Sequence, residues 1–144
     1  DMPMPACRRP TRLAAGVIVL SALPQLAGAE TCAYTDFDTF LQAFSADPAL
    51  QQQYSADPLP MSWLDMEAEP EPAEVSEDRP HSELNWPVVV DVTTAGTDFT
   101  AEITAPDETS RTVTVNGTDN GLSEIYHFRA APCWTLIRVE SNST

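Results

Sequence analysis

Phe37, Phe40, Leu41 and Phe44 recur at spacings of three and four, which puts three aromatic rings and a leucine on one face of a helix. Thr35 is expected as its N-cap, and Asp36 and Asp38 lie where the helix dipole favours negative charge. Asp47-Pro48 restarts the chain as cap and first helical residue, and Ala49, Leu50 and Tyr54 carry a second short helix to about Ser55. Asp57-Pro58-Leu59-Pro60 ends it. Beyond this point the period changes from helical to alternating. Met61–Asp65 reads as a short strand, and Trp86–Val92, opened by Pro87, as a strand entry or edge segment. Phe99, Ala101 and Ile103 alternate with Thr100, Glu102 and Thr104; Val113 and Val115 share a face of the next strand. The turn cluster Asn116–Gly121 leads to a final hairpin, Glu124–Arg129 and Cys133–Glu140, joined across Ala131-Pro132.

In the last strand Trp134 and Leu136 fall on one face, and Cys133, Ile137 and Val139 on the other. Both faces are partly apolar, so the strand is expected to be central or at an interface, which leaves room for a homodimer through the sheet. Helices followed by a run of strands predict an α+β domain, with the N-terminal helices packed on a curved antiparallel sheet. That packing buries the Phe37/Phe40/Phe44 face and brings the residues before the first helix close to the last strand.

Glu67–Asp78 breaks the pattern. Glu69-Pro-Glu-Pro72 and a run of acids carry no periodicity and little apolar surface, so an exposed acidic loop is expected over about 67–83. At the N-terminus, Arg8, Arg9 and Arg12 precede the apolar run Leu13–Leu23, and Ala27-Gly28-Ala29 has the small-residue pattern of a cleavage site. Residues 1–29 are therefore expected to be a signal peptide and 30–144 the single mature domain, exported to a periplasmic or extracellular medium. No membrane anchor is expected to remain after processing.

Charge narrows the partners. The chain carries a net charge of −15 and no lysine. Removing residues 1–29 takes away three arginines and only Asp1, so the mature domain is more acidic still. Such a field repels nucleic acid. Of the three cysteines, Cys7 leaves with the signal peptide, and the remaining pair, Cys32 and Cys133, is expected to be bridged in an oxidising compartment. Without a Cys-x-x-Cys, and with only His81 and His127, no metal site is expected, and nothing calls for a cofactor. Asp65, Glu67, Glu69 and Glu71 are dense in carboxylates but lack EF-hand spacing.

Tyr34–Tyr54, then Pro58-Leu59, then Tyr126–Arg129 with Cys133–Val139, resemble the exported bacterial family called domain of unknown function 4348. That family resembles the nuclear-transport-factor-2-like (cystatin-like) cone fold, whose last strand often carries a Trp-x-Leu/Ile pattern. The resemblance implies a sheet and helices enclosing a pocket. It implies no particular activity, since such folds include isomerases, dehydratases and non-catalytic binding modules.

An isomerase-like site needs a carboxylate and a hydrogen-bond donor in an apolar pocket. Glu102 or Glu124 with Tyr126 or His127 are the candidates, although their spacing does not single them out. There is no Gly-x-Ser-x-Gly, and both mature cysteines are taken by the bridge. The leading reading is a small exported binding domain without catalysis, for an unknown small ligand or protein partner. A pocket enzyme of isomerase or dehydratase type, and an acidic inhibitor or immunity-type protein that masks a basic partner, stand as alternatives.

Overall fold

The computed structural model describes residues 31–143, so the signal segment expected over 1–29 lies outside the described residues. Helix α1 (Phe37–Ala46) starts one residue later than the spacing suggested. Its cap is Asp36, whose Oδ2 accepts the Thr39 backbone N–H at 3.0 Å, satisfying an amide the first helical turn leaves unpaired. Asp47 does the same for α2 (Pro48–Gln53), accepting from Ala49 N–H at 2.9 Å, with Pro48 at the first helical position.

Six strands follow: β1 (Leu59–Asp65), β2 (Ala73–Arg79), β3 (Phe99–Asp107), β4 (Ser110–Gly117), β5 (Ser123–Ala130) and β6 (Trp134–Ser141). They form one curved sheet in the order β2-β1-β6-β5-β4-β3. The sheet is mixed rather than wholly antiparallel, because β1 runs parallel to β6, with Met61 opposite Val139 and Ser62 opposite Glu140. Tight turns dictate the antiparallel hairpins locally; the β1–β6 contact joins distant segments and leaves no turn signature.

The acidic segment differs from the expected loop. Ala73–Arg79 is a strand, paired antiparallel with β1 from Leu59–Arg79 to Asp65–Ala73. Its stability does not require apolar burial: backbone hydrogen bonds to β1 supply it, and only Val75 and Arg79 are part-buried. The Arg79 guanidinium sits 5.2 Å over the Trp63 ring, and the acids leave the outer edge charged, which discourages further strand pairing. Conversely, Trp86–Val92 forms no strand. It crosses the α-helices as an irregular segment with Val89 fully buried, ending in a 3-10 turn, Val92–Thr94.

The register also corrects the reading of β6. Phe128 pairs Leu136 and His127 pairs Arg138, so Ile137 is an extra residue in a bulge. Alternation shifts by one at that point. Trp134, Leu136 and Val139 all enter the core, which strict alternation would have split between two faces. The apolar residues on both sides of β6 in the sequence are thus largely the mark of a bulge, in a strand that is central.

The core is aromatic. Phe37, Phe40 and Phe44 of α1 meet Phe128 of β5 at centroid distances of 5.2, 5.9 and 5.5 Å, all near edge-on, and Phe37 meets Trp134 at 4.9 Å. Arg111 lies 5.1 Å over Trp134 and closes this end of the cluster. A Cys32–Cys133 disulfide, with Cα atoms 5.4 Å apart, ties the residues before α1 to the start of β6.

Candidate functional site

The four candidate pocket residues do not converge. Tyr126 faces the core and is fully buried, and Glu124, two residues before it on β5, shares that face at the sheet's end. His127 and Glu102 fall on the opposite, outer face, where they belong to different rows across the sheet: Thr112–His127–Arg138 and Glu102–Thr114–Ile125–Glu140.

Each has local commitments. Burial first, and the negative charge of Glu124 second, push the Tyr126 phenol above its ordinary value of 10.0; the Val90 backbone acts weakly in the other direction. Its hydroxyl has no hydrogen-bond partner of normal geometry among the described residues. Glu124 Oε2 accepts hydrogen bonds from the Ser141 and Ser143 hydroxyls, the second at 2.8 Å. His127 Nε2 contacts Glu140 Oε2, whose other oxygen lies 3.5 Å from the Arg138 guanidinium. Glu102 is exposed. His81 is used structurally: its Nε2 bonds the Ala56 carbonyl at 2.8 Å, its backbone N–H donates to Asp57 at 3.1 Å, and its ring meets Trp86 edge-on.

The interior between α1 and the sheet is occupied by the rings of Phe37, Phe40, Phe44, Phe128 and Tyr126. Among the described residues, no three His, Cys, Asp or Glu side chains gather as a metal-binding group, and no helix is long and apolar enough to cross a membrane. Asp65 Oδ1 accepts the Glu67 N–H at 3.0 Å and so helps form the turn after β1.

Open space lies elsewhere. A groove of about 430 Å³ runs between α1, the Val92–Thr94 turn and β3. Asp38, Leu41 and Gln42 line it from α1, at positions that share one helical face; Val92 and Thr93 line it from the turn, and Ile103 from β3. Leu41 is buried while Ile103 is 41% exposed, since α1 ends its cover short of the outer part of β3. The walls are fixed by hydrogen bonds. Val92 N–H donates to Ser45 Oγ at 3.1 Å, pinning the turn to α1, and Asp91 accepts from both the N–H and the hydroxyl of Thr93. A smaller cleft of about 200 Å³ lies on the outer face beside Ser62, Ser76 and Arg138.

Comparison with known proteins agrees with this architecture. A crystal structure of an NTF2-like protein from Bacteroides fragilis superposes with a TM-score of 0.53 at 19% identity, over 80% of this chain and 50% of that chain, so the chain spans about half its length. The fold is nuclear-transport-factor-2-like, an α+β cone. No family model and no curated protein matches the chain.

Of the groove residues, the sequence pattern had marked Leu41 as core, Asp38 as a helix-start charge and Ile103 as an alternating strand residue. None was marked as a site. The available signal was weak: Asp38, Leu41 and Gln42 share a helical face adjoining the phenylalanine stripe, but only the packing shows that α1 leaves this face open.

Proposed function

We propose that the chain is a small exported binding domain without catalytic chemistry, whose ligand enters the groove between α1 and β3. The observation that carries this reading is the aromatic filling of the cone. With Phe40, Phe44, Tyr126 and Phe128 occupying the interior, binding falls to the surface openings, and of the two described the groove between α1 and β3 is the larger, with a volume within the range of small-ligand pockets. Hydrogen bonds that hold the Val92–Thr94 wall to α1 and brace it internally favour a pre-formed opening, which lowers the ordering cost of binding. Export rests on the residue pattern of 1–29 and on the disulfide, which suits an oxidising compartment. Membership of the domain-of-unknown-function-4348 family belongs to the same reading and rests on the residues quoted for it. The outer sheet face is rich in Thr, Glu, His and Arg, which favours a ligand-binding monomer over a large apolar homodimer interface.

Two-dimensional amide NMR of the labelled domain against a small-fragment library tests the proposal. Shift changes are expected at Leu41, Gln42, Val92 and Ile103, with Tyr126 unmoved. Fragments that cluster at Tyr126 and Glu124 instead, or a library that leaves the groove residues unmoved, would overturn it.

A further inference from the structure

We infer that the groove recognises an amphipathic cation: a compact apolar group bearing a protonated amine. This rests on the groove being the binding site, and it adds the chemical class of the ligand. The apolar part is specified by Leu41, Val92 and Ile103, which present aliphatic surface along the floor and one wall. Ile103 is one of only three large hydrophobic side chains exposed among the described residues, and it lines this groove. Covering it recovers the free energy of apolar burial.

The polar part is specified by Asp38. Its carboxylate lines the groove and makes no hydrogen bond or ion pair with another described residue. The Gln42 amide, one turn along the same face, is equally uncommitted. Thr93 Oγ1 donates its proton to Asp91, which leaves its lone pairs to accept. An ammonium group has three donors and no acceptor, matching the Gln42 and Thr93 side-chain oxygens and the Asp38 carboxylate; an anion would find donors only on the Gln42 amide, beside the Asp38 charge.

The surrounding charges point the same way. The start of α1 contributes roughly half a positive charge, outweighed by the carboxylates of Asp36 and Asp38 beside it. Asp91 adds a third acid behind Thr93. Arg111, its guanidinium 6.0 Å from the Phe37 ring centroid, is committed to the Asp107 and Ser110 carbonyls and to stacking on Trp134, and it does not line the groove. At a net charge of −15 the whole molecule draws cations towards this opening and repels anions.

The test compares three probes of one shape: benzylamine, benzyl alcohol and benzoate, titrated by amide NMR at about 0.15 M salt, where long-range attraction is screened beyond ~8 Å. Benzylamine, protonated at neutral pH as a lysine amine is, is expected to bind in the groove about tenfold more tightly than the alcohol, with benzoate weakest. Asp38→Asn should remove the preference for amine over alcohol. Ile103→Ser should weaken both and keep the preference. Glu74→Gln, which deletes the same charge from β2 at the far edge of the sheet, should change neither. Equal binding of amine and alcohol, or a preference that survives Asp38→Asn or disappears with Glu74→Gln, overturns the cation assignment while leaving the groove as the site. Failure of all three probes to shift any groove residue overturns this inference, and the reading of the groove falls only if the wider fragment library fails there too.

Discussion

Gln51 grips Val89 by both ends of its amide: Oε1 accepts the Val89 N–H at 2.9 Å, and Nε2 donates to the Val89 carbonyl at 2.9 Å. The same side chain also accepts from Val88 N–H at 2.8 Å, and it is fully buried. A glutamine in α2 thus takes the place of a neighbouring strand for the irregular segment that crosses the helices. Gln51→Leu fills similar space but removes the partner of the buried Val89 N–H and carbonyl, of the part-buried Val88 N–H and of the Ser45 carbonyl, which Nε2 meets at 3.3 Å. Since each orphan costs about 1–3 kcal/mol, a loss of ~3–5 kcal/mol in urea unfolding is expected. A loss below ~1 kcal/mol would show that the segment finds other partners.

The Cys32–Cys133 bridge closes a loop with a sequence separation of 101. Such a loop restricts the unfolded chain by ~4–5 kcal/mol in the chain-entropy treatment. Non-reducing peptide mapping should recover the linked pair, and Cys133→Ser should lower stability by ~2–5 kcal/mol. Cys32→Ser should match it, because the two variants break one bond. Unequal losses would mean that one cysteine contributes by packing as well.

Tyr126 separates the binding reading from the enzyme reading. Its hydroxyl is buried with the Val90 backbone nearby but no hydrogen bond of normal geometry, so Tyr126→Phe removes a polar group that gains little in the folded state. Stability should be unchanged or higher by about 1 kcal/mol, with binding to groove probes intact. Lower stability, or lost ligand binding, would give the phenol a role that the packing does not indicate.

Asp36 makes the α1 cap sensitive to acid. Hydrogen bonds from the Thr39 backbone and hydroxyl hold its carboxyl below the ordinary 3.8, and Arg111 adds a smaller effect in the same direction. A depressed folded value means that the cap's stabilisation is fully present above the unfolded value and is lost as pH falls below it, through the folded value. Protonating the other carboxylates at the same time relieves repulsion in so acidic a chain, which works in the opposite direction. The informative quantity is therefore the difference between wild type and Asp36→Asn. That difference should shrink below about pH 3.8 and be constant between pH 5 and 7. A difference that does not vary across the acid range would remove the carboxylate from the account.

Local sequence determined a good part of this molecule. The three- and four-residue spacing of Phe37, Phe40, Leu41 and Phe44 specified both α1 and its buried face, because helix geometry alone converts that spacing into a stripe. Cys32 and Cys133, the two cysteines outside the expected signal segment and each beside a strongly patterned element, specified the bridge. Helices first and strands after specified the α+β class. Other features depended on contacts between distant residues. Ala73–Arg79 became a strand because β1 offered a free edge of backbone donors and acceptors, which its own acidic side chains could not reveal. Trp86–Val92 looked like a strand but was captured by Gln51, since one buried amide could satisfy its backbone better than a sheet edge it never reached. Ile137 moved into a bulge and turned Val139 to the core because the register with β5 demanded it. The groove has the same origin: Asp38, Gln42 and Ile103 carry no signature of their own, and they face one opening only because α1 packs over Phe128 and stops short of the outer part of β3.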